Sequence, residues 1–178
     1  VVTQLALGYH NSCGLTNTGG MKCWGNNSWG QIGSSASGTQ TSPSNLPGYT
    51  SNVSAIAGGH HHTCAITTAG AVRCFGYNWN SNLSPSISSG AVDISAGYLH
   101  SCALMSYGGV KCWGDNSFGE LGQENTTQIG DAAGEVASLD YIDLGSGVRA
   151  KQIAAGGSYA CALLTNGQVQ CWGYSDFG

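Results

Sequence analysis

The chain has 178 residues, of which 29 are Gly and 8 are Cys, with 8% charged residues and a formal net charge of -4. Glycine at this level without a G-X-Y period excludes collagen and helical bundles, and a hydrophobic share of 41% is enough to bury a core rather than leave the chain disordered. Five Lys and Arg in all cannot neutralise a row of phosphates, so nucleic acid is not an expected partner; no apolar run reaches the roughly 18 residues a membrane-spanning helix needs, so no membrane insertion is expected either.

Four copies of one unit follow each other along the chain. In the first, residues 1–51, Leu5 and Gly8 precede Cys13, Gly19 follows it, and Cys23-Trp24-Gly25 closes the pattern. A Ser/Thr/Pro/Gly-rich insert, residues 34–52, leads into the second unit, residues 52–91, with Ile56, Gly59, Cys64, Gly70 and Cys74-Phe75-Gly76 at the same offsets. Here the later glycines give way to Asn78-Trp79-Asn80-Ser81-Asn82-Leu83-Ser84, so a different outer turn is expected before the short connection 85–91. The third unit, residues 92–147, carries Ile94, Gly97, Cys102-Ala103-Leu104, Gly108 and Cys112-Trp113-Gly114, then a long insert, residues 123–147. The fourth, residues 148–178, repeats Ile153, Gly156, Cys161, Gly167 and Cys171-Trp172-Gly173 and stops at Asp176-Phe177-Gly178. Together these form a single repeat domain, residues 1–178.

Each unit reads as a β-hairpin: a strand starting at the first Cys, a Gly turn, and a strand returning through the second. Alternation puts Val110 and Cys112 on one face and Lys111 on the other; Lys22, Arg73 and Lys111 share that position and predict a solvated face, with Gln170 in the fourth copy. The two cysteines of a unit then lie opposite each other at a separation a disulfide can bridge, giving Cys13–Cys23, Cys64–Cys74, Cys102–Cys112 and Cys161–Cys171. Each closure contributes on the order of 2 to 3 kcal/mol in the chain-entropy model. No C-x2-C pair suggests zinc. Disulfides imply an oxidising compartment, extracellular or cell-surface; the alternative is eight free thiols buried in a cytosolic protein. Sequons at Asn26, Asn52, Asn82 and Asn125 make glycan modification an expectation of the same context. The chain opens on Val1 without an initiator Met or signal peptide, so any targeting segment is expected to be removed or not included.

Chemistry-bearing clusters are few. The second insert gathers five of the nine acidic residues, Glu124, Asp131, Glu135, Asp140 and Asp143, and is the candidate binding loop. It lacks the D-x-[DN]-x-[DN]-G pattern of a calcium loop. His60-His61-His62 alternate between strand faces and cannot all reach one ion, so no metal and no cofactor are expected. No G-x-S-x-G elbow is present, and the thiols are committed to disulfides, so no catalytic residue is assigned. Trp24, Trp113 and Trp172 recur at one offset, which favours packing over a carbohydrate-stacking row.

These residues resemble the repeats of the regulator of chromosome condensation family. The resemblance rests on His62-Thr63-Cys64-Ala65-Ile66, His100-Ser101-Cys102-Ala103-Leu104, and the stretches from Trp24 to Gly33 and from Trp113 to Gly122. Asn11 and Tyr159 depart from it, standing where the family has histidine. The resemblance implies an all-β fold, a β-propeller of four-stranded blades; paired cysteines look more like its bacterial and extracellular branch. Since such propellers usually have seven blades, four repeats imply part of a longer propeller, one piece of a multi-chain ring, or a unit of a continuing assembly. The expected function is a non-catalytic, secreted or cell-surface role in structure and self-association, through exposed blade edges and insert loops. The alternative is a protein-recognition or enzyme-inhibitor module resembling β-lactamase inhibitory protein II in architecture. Nucleotide exchange or chromatin binding is disfavoured by the thiols and the missing basic surface.

Overall fold

A computed structural model describes residues 1–34, 38–77, 85–132 and 134–175. Among these residues the fold is all-β apart from one short helix. The first sheet has four strands in chain order, β1 (Val2–Leu7), β2 (Asn11–Thr16), β3 (Met21–Asn26) and β4 (Thr39–Asn45). Three-stranded sheets follow: β5 (Val53–Gly58), β6 (His62–Thr67) and β7 (Val72–Gly76); β8 (Ala91–Ala96), β9 (His100–Met105) and β10 (Val110–Gly114); and, after α1 (Glu135–Ser138), β11 (Ala150–Ala155), β12 (Tyr159–Leu164) and β13 (Val169–Gly173). Every pairing within the sheets is antiparallel, and each sheet packs its first strand against the sheet before it.

The local cause is the same in each unit. Gly19, Gly70, Gly108 and Gly167 sit at φ of 75°, 76°, 87° and 87°, left-handed backbone that a side chain resists, and turn the second strand back as the third. The register that follows pairs Cys13 with Cys23, Cys64 with Cys74, Cys102 with Cys112 and Cys161 with Cys171. All four pairs are disulfide-bonded, with Cα atoms 4.0 to 4.1 Å apart. Sheets stack closely because glycine precedes each first Cys by five residues. A Cβ on Gly59 would stand 2.2 Å from His62 Cε1 and 2.7 Å from the Gly97 carbonyl of the next sheet, and Gly97 stands in the same way to His100 and Gly156.

Between the sheets the core falls into two clusters, one in the first and second sheets and a larger one through the second, third and fourth. Ile56, Ile66, Val72, Val110, Ile153 and six of the cysteines are buried within them, as is Trp113; Trp24 and Trp172 are half-buried. Polar contacts cross the same interfaces. Gln4 brackets the main chain of Ile56, its Nε2 donating to the carbonyl at 3.0 Å and its Oε1 accepting from the amide at 3.0 Å. The Ala155 amide donates to Ser95 Oγ at 2.8 Å.

The position before the second Cys is not uniformly solvated. Lys22 is exposed and Arg73 half-exposed, but Lys111 is buried. Strand alternation fixes which face a residue takes, and in the third sheet that face is roofed by the insert that follows β10. The stretch 78–84, with the Asn82 sequon, and the final residues 176–178 lie outside the described residues.

Candidate functional site

The second insert is folded by its hydrophobic residues and by Lys111. Gly114 and Ile129 form a β-bridge, Val136 on α1 is buried, and the Ile142 amide donates to the Val110 carbonyl at 3.0 Å, which returns the insert alongside β10. Lys111 Nζ donates to the carbonyls of Val136 and Ala137 at 3.3 and 2.8 Å, where α1 leaves its acceptors unpaired. The same ammonium stands 5.0 Å from the centre of the Tyr141 ring. Burial pulls the Lys111 pKa below the usual lysine value, while Asp140 opposes that shift.

This folding separates the five acids. Glu135 Oε2 accepts from the amides of Gly130 and Ala132 at 2.8 and 3.3 Å, a structural role. Asp140 is exposed and acts on Lys111 only through its charge, and Asp131 is half-buried. Only Glu124 and Asp143 come to one place, a cavity of about 620 Å³ between the insert and β13. Phe118, Tyr141, Trp172, Gln123 and Gln170 line it with them. None of these five is marked as a site by the sequence: Trp172 and Gln170 carry only their repeat offsets, Phe118 only its place in the stretch from Trp113 to Gly122, and Gln123 and Tyr141 have no local motif.

The histidines serve the sheet interfaces. Asn11, His62 and His100 hold equivalent positions, two before the first Cys, and each reaches toward the residue preceding the Cys of the next sheet. Asn11 Nδ2 donates to Thr63 Oγ1 at 3.0 Å, and His62 Nε2 lies 2.8 Å from Ser101 Oγ. In the third step the equivalent residue is Ala160, which has no hydroxyl, and His100 Nε2 is buried without a side-chain partner. Burial, with nearby imidazoles assisting, pushes His62 down to about 4 against a backbone hydrogen bond at His100; burial pushes His100 to about 4 against the opposing charge of Asp115 and a backbone hydrogen bond at Tyr159.

The residues four before the first Cys make a row along one rim. Tyr9, His60 and Tyr98 follow each other with ring centres 4.2 and 4.1 Å apart, and Trp29 meets Tyr77 edge-on at 4.9 Å nearby. Among the described residues no three His, Cys, Asp or Glu side chains are placed to hold a metal ion. Of the sequons, Asn52 and Asn125 are exposed, whereas Asn26 is half-buried with its Oδ1 accepting from Ser28 and Gln31.

A family model described as Regulator of chromosome condensation (RCC1) repeat matches residues 2–31, 53–82, 91–120 and 150–178, more than half of the chain. A second of the same description matches residues 19–66. Among solved structures, Prp20p from Saccharomyces cerevisiae, described with its binding properties to Gsp1p and histones, is similar at a TM-score of 0.79 and 23% identity, over 98% of this chain and 44% of its own. Human WBSCR16 is similar at 0.76 and 22%, over 97% of this chain and 47% of its own. The ectodomain of the Physcomitrella patens receptor kinase CR4 matches at 0.65 and 25%, over 97% of this chain and 41% of its own. The chain spans less than half the length of each of these structures, and the shared fold is a β-propeller.

Proposed function

Because the chain belongs to the regulator of chromosome condensation (RCC1) repeat family, we propose that it is a non-catalytic assembly module of an extracellular or cell-surface protein, acting through the two end faces of its row of blades. One observation carries this reading: residues that each internal blade interface buries are bare at the two ends. Leu5 is 62% exposed, whereas its equivalents Ile56, Ile94 and Ile153 are 2%, 5% and 6% exposed. At the other end Val169 is 64% exposed, against 0% for Val72 and Val110, and Leu163 is exposed where Leu15, Ile66 and Leu104 are buried. Each end thus offers the apolar surface that an adjoining blade covers within the chain, and another blade of the same kind is its natural complement. Four disulfides and the likeness to a receptor-kinase ectodomain support the extracellular setting.

The test is particle size by light scattering and sedimentation, using the wild type and the variants Leu5→Asp and Val169→Asp. Association that either variant abolishes, with folding retained, is the expected result; a discrete monomer unchanged by both substitutions refutes it. Mass measurement of native material decides whether Asn26, Asn52, Asn82 and Asn125 carry glycans.

A second reading, recognition of a partner protein by one rim, draws on the exposed rings of Tyr9, Trp29 and Tyr98, residue types that dominate binding hot spots. That Prp20p is described with protein partners is in keeping with it. A one-to-one complex lost in Tyr9→Ala and Tyr98→Ala, but retained in the end-face variants, distinguishes this reading from assembly.

A further inference from the structure

We propose that the cavity between the second insert and β13 binds a guanidinium group, the arginine side chain of a protein partner. The proposal uses none of the end-face residues and stands whether or not the ends associate. Its basis is the hydrogen-bonding capacity left over in the cavity lining.

Each side-chain nitrogen of the lining makes one hydrogen bond within the protein. Trp172 Nε1 donates to the Glu120 carbonyl at 2.8 Å, Gln170 Nε2 to the Asp143 carbonyl at 3.0 Å, and Gln123 Nε2 to the Asp140 carbonyl at 3.4 Å. Asn125 Nδ2 donates to the Gln123 carbonyl at 2.8 Å, and the Tyr141 hydroxyl accepts from that of Tyr107. Acceptors remain open. The side-chain oxygens of Gln123, Gln170 and Glu124 accept no hydrogen bond among the described residues, and Asp143 uses Oδ1 on the Gly145 amide, leaving its second oxygen.

The charge balance points the same way, because two carboxylates and no Lys, Arg or His line the cavity. A ligand that only donates and carries positive charge satisfies this lining. Saccharide hydroxyls are neutral and would leave the charge of the two carboxylates uncompensated. The rings of Phe118, Tyr141 and Trp172 then select between cations. A guanidinium is planar, is weakly hydrated and stacks on aromatic faces while its five N–H groups reach acceptors around its edge; an ammonium offers three donors and stays strongly hydrated. At about 620 Å³ the cavity exceeds one side chain, which fits an arginine presented by a polypeptide rather than the free amino acid.

The experiment titrates the protein with N-acetyl-L-argininamide and follows the indole N–H of Trp172 and the side-chain amide of Gln170 by NMR. Saturable shifts in the millimolar range are expected, with N-acetyl-L-citrullinamide, the neutral near-isostere, binding at least about fivefold more weakly. Glu124→Gln should weaken arginine binding by a similar factor, and added salt should weaken it in the wild type. Glu124→Asp, which keeps the charge, should retain binding, while unchanged signals outside the cavity show that each variant is folded. Absence of saturable shifts, equal binding of the citrulline probe, or full binding by Glu124→Gln would overturn the proposal. Shifts produced by N-acetylglucosamine but not by the arginine probe would overturn it in favour of a saccharide site.

Discussion

Replacing Ala160 with Ser should stabilise the protein. Asn11 and His62 each find a hydroxyl on the next blade, at Thr63 and Ser101, while His100 faces Ala160 with its Nε2 buried and without a side-chain partner. Register supports equivalence of the sites, since Ala160 pairs with Trp172 as Ser101 pairs with Trp113 and Thr63 with Phe75. An intramolecular hydrogen bond contributes about 1 kcal/mol net, and relieving an unsatisfied buried group adds to that, so the expected gain is about 1 to 2 kcal/mol. For a domain of this size that corresponds to a rise in Tm of roughly 2 to 8 °C. Urea denaturation at pH 7.5 with the disulfides intact measures it, provided unfolding is two-state. The reciprocal change, Ser101→Ala, strands His62 and should cost about the same amount. If Ala160→Ser is neutral or destabilising while Ser101→Ala costs nothing, the blade-to-blade relay has no energetic weight and the reasoning fails.

Acid should destabilise the fold as the buried histidines are forced to take up protons. His62 and His100 are held near 4 in the folded protein, against about 6.5 unfolded, so their contribution is complete above pH 6.5 and declines as pH falls toward 4, by about 3 kcal/mol for each. A denaturation series between pH 7.5 and 4 tests this, and a flat profile contradicts it. Gentle reduction of the isolated chain should open Cys161–Cys171 first, because Cys171 is exposed while the six cysteines of the other blades are buried; alkylation and peptide mapping identify the first bond lost. Lys111→Ala should cost about 1 to 3 kcal/mol by freeing the Val136 and Ala137 carbonyls, with faster hydrogen exchange through 135–142, whereas Lys22→Ala should be within about 0.5 kcal/mol of wild type.

The hairpins were legible because their causes are local. A cysteine, a glycine six residues later and a second cysteine at ten define a turn and a register without reference to anything distant. The stacking glycines were legible by recurrence alone; the reason for them, contact with the next blade's Gly97 or Gly156 carbonyl, is tertiary. Lys111 shows where alternation stops being informative. Period two assigns its face correctly, but what covers that face is an insert whose path depends on Val136 and Ile142 finding β10. The acidic loop reads as a group because its members are close in sequence, whereas folding ties Glu135 to the Gly130 and Ala132 amides, leaves Asp140 exposed and brings Glu124 together with Asp143. Phe118, Gln170 and Trp172 join those two from separate segments, and no single stretch of sequence shows that.

Every disulfide closes within its own hairpin, across ten residues, and none runs from one blade to another. Oxidation can therefore proceed unit by unit during synthesis, each thiol meeting its partner before the next pair has emerged. The same arrangement keeps thiol parity intact under gain or loss of a whole repeat: a duplicated or deleted unit carries both members of its bond and strands no cysteine elsewhere. A lineage built this way can vary its number of blades without having to solve its oxidative folding again.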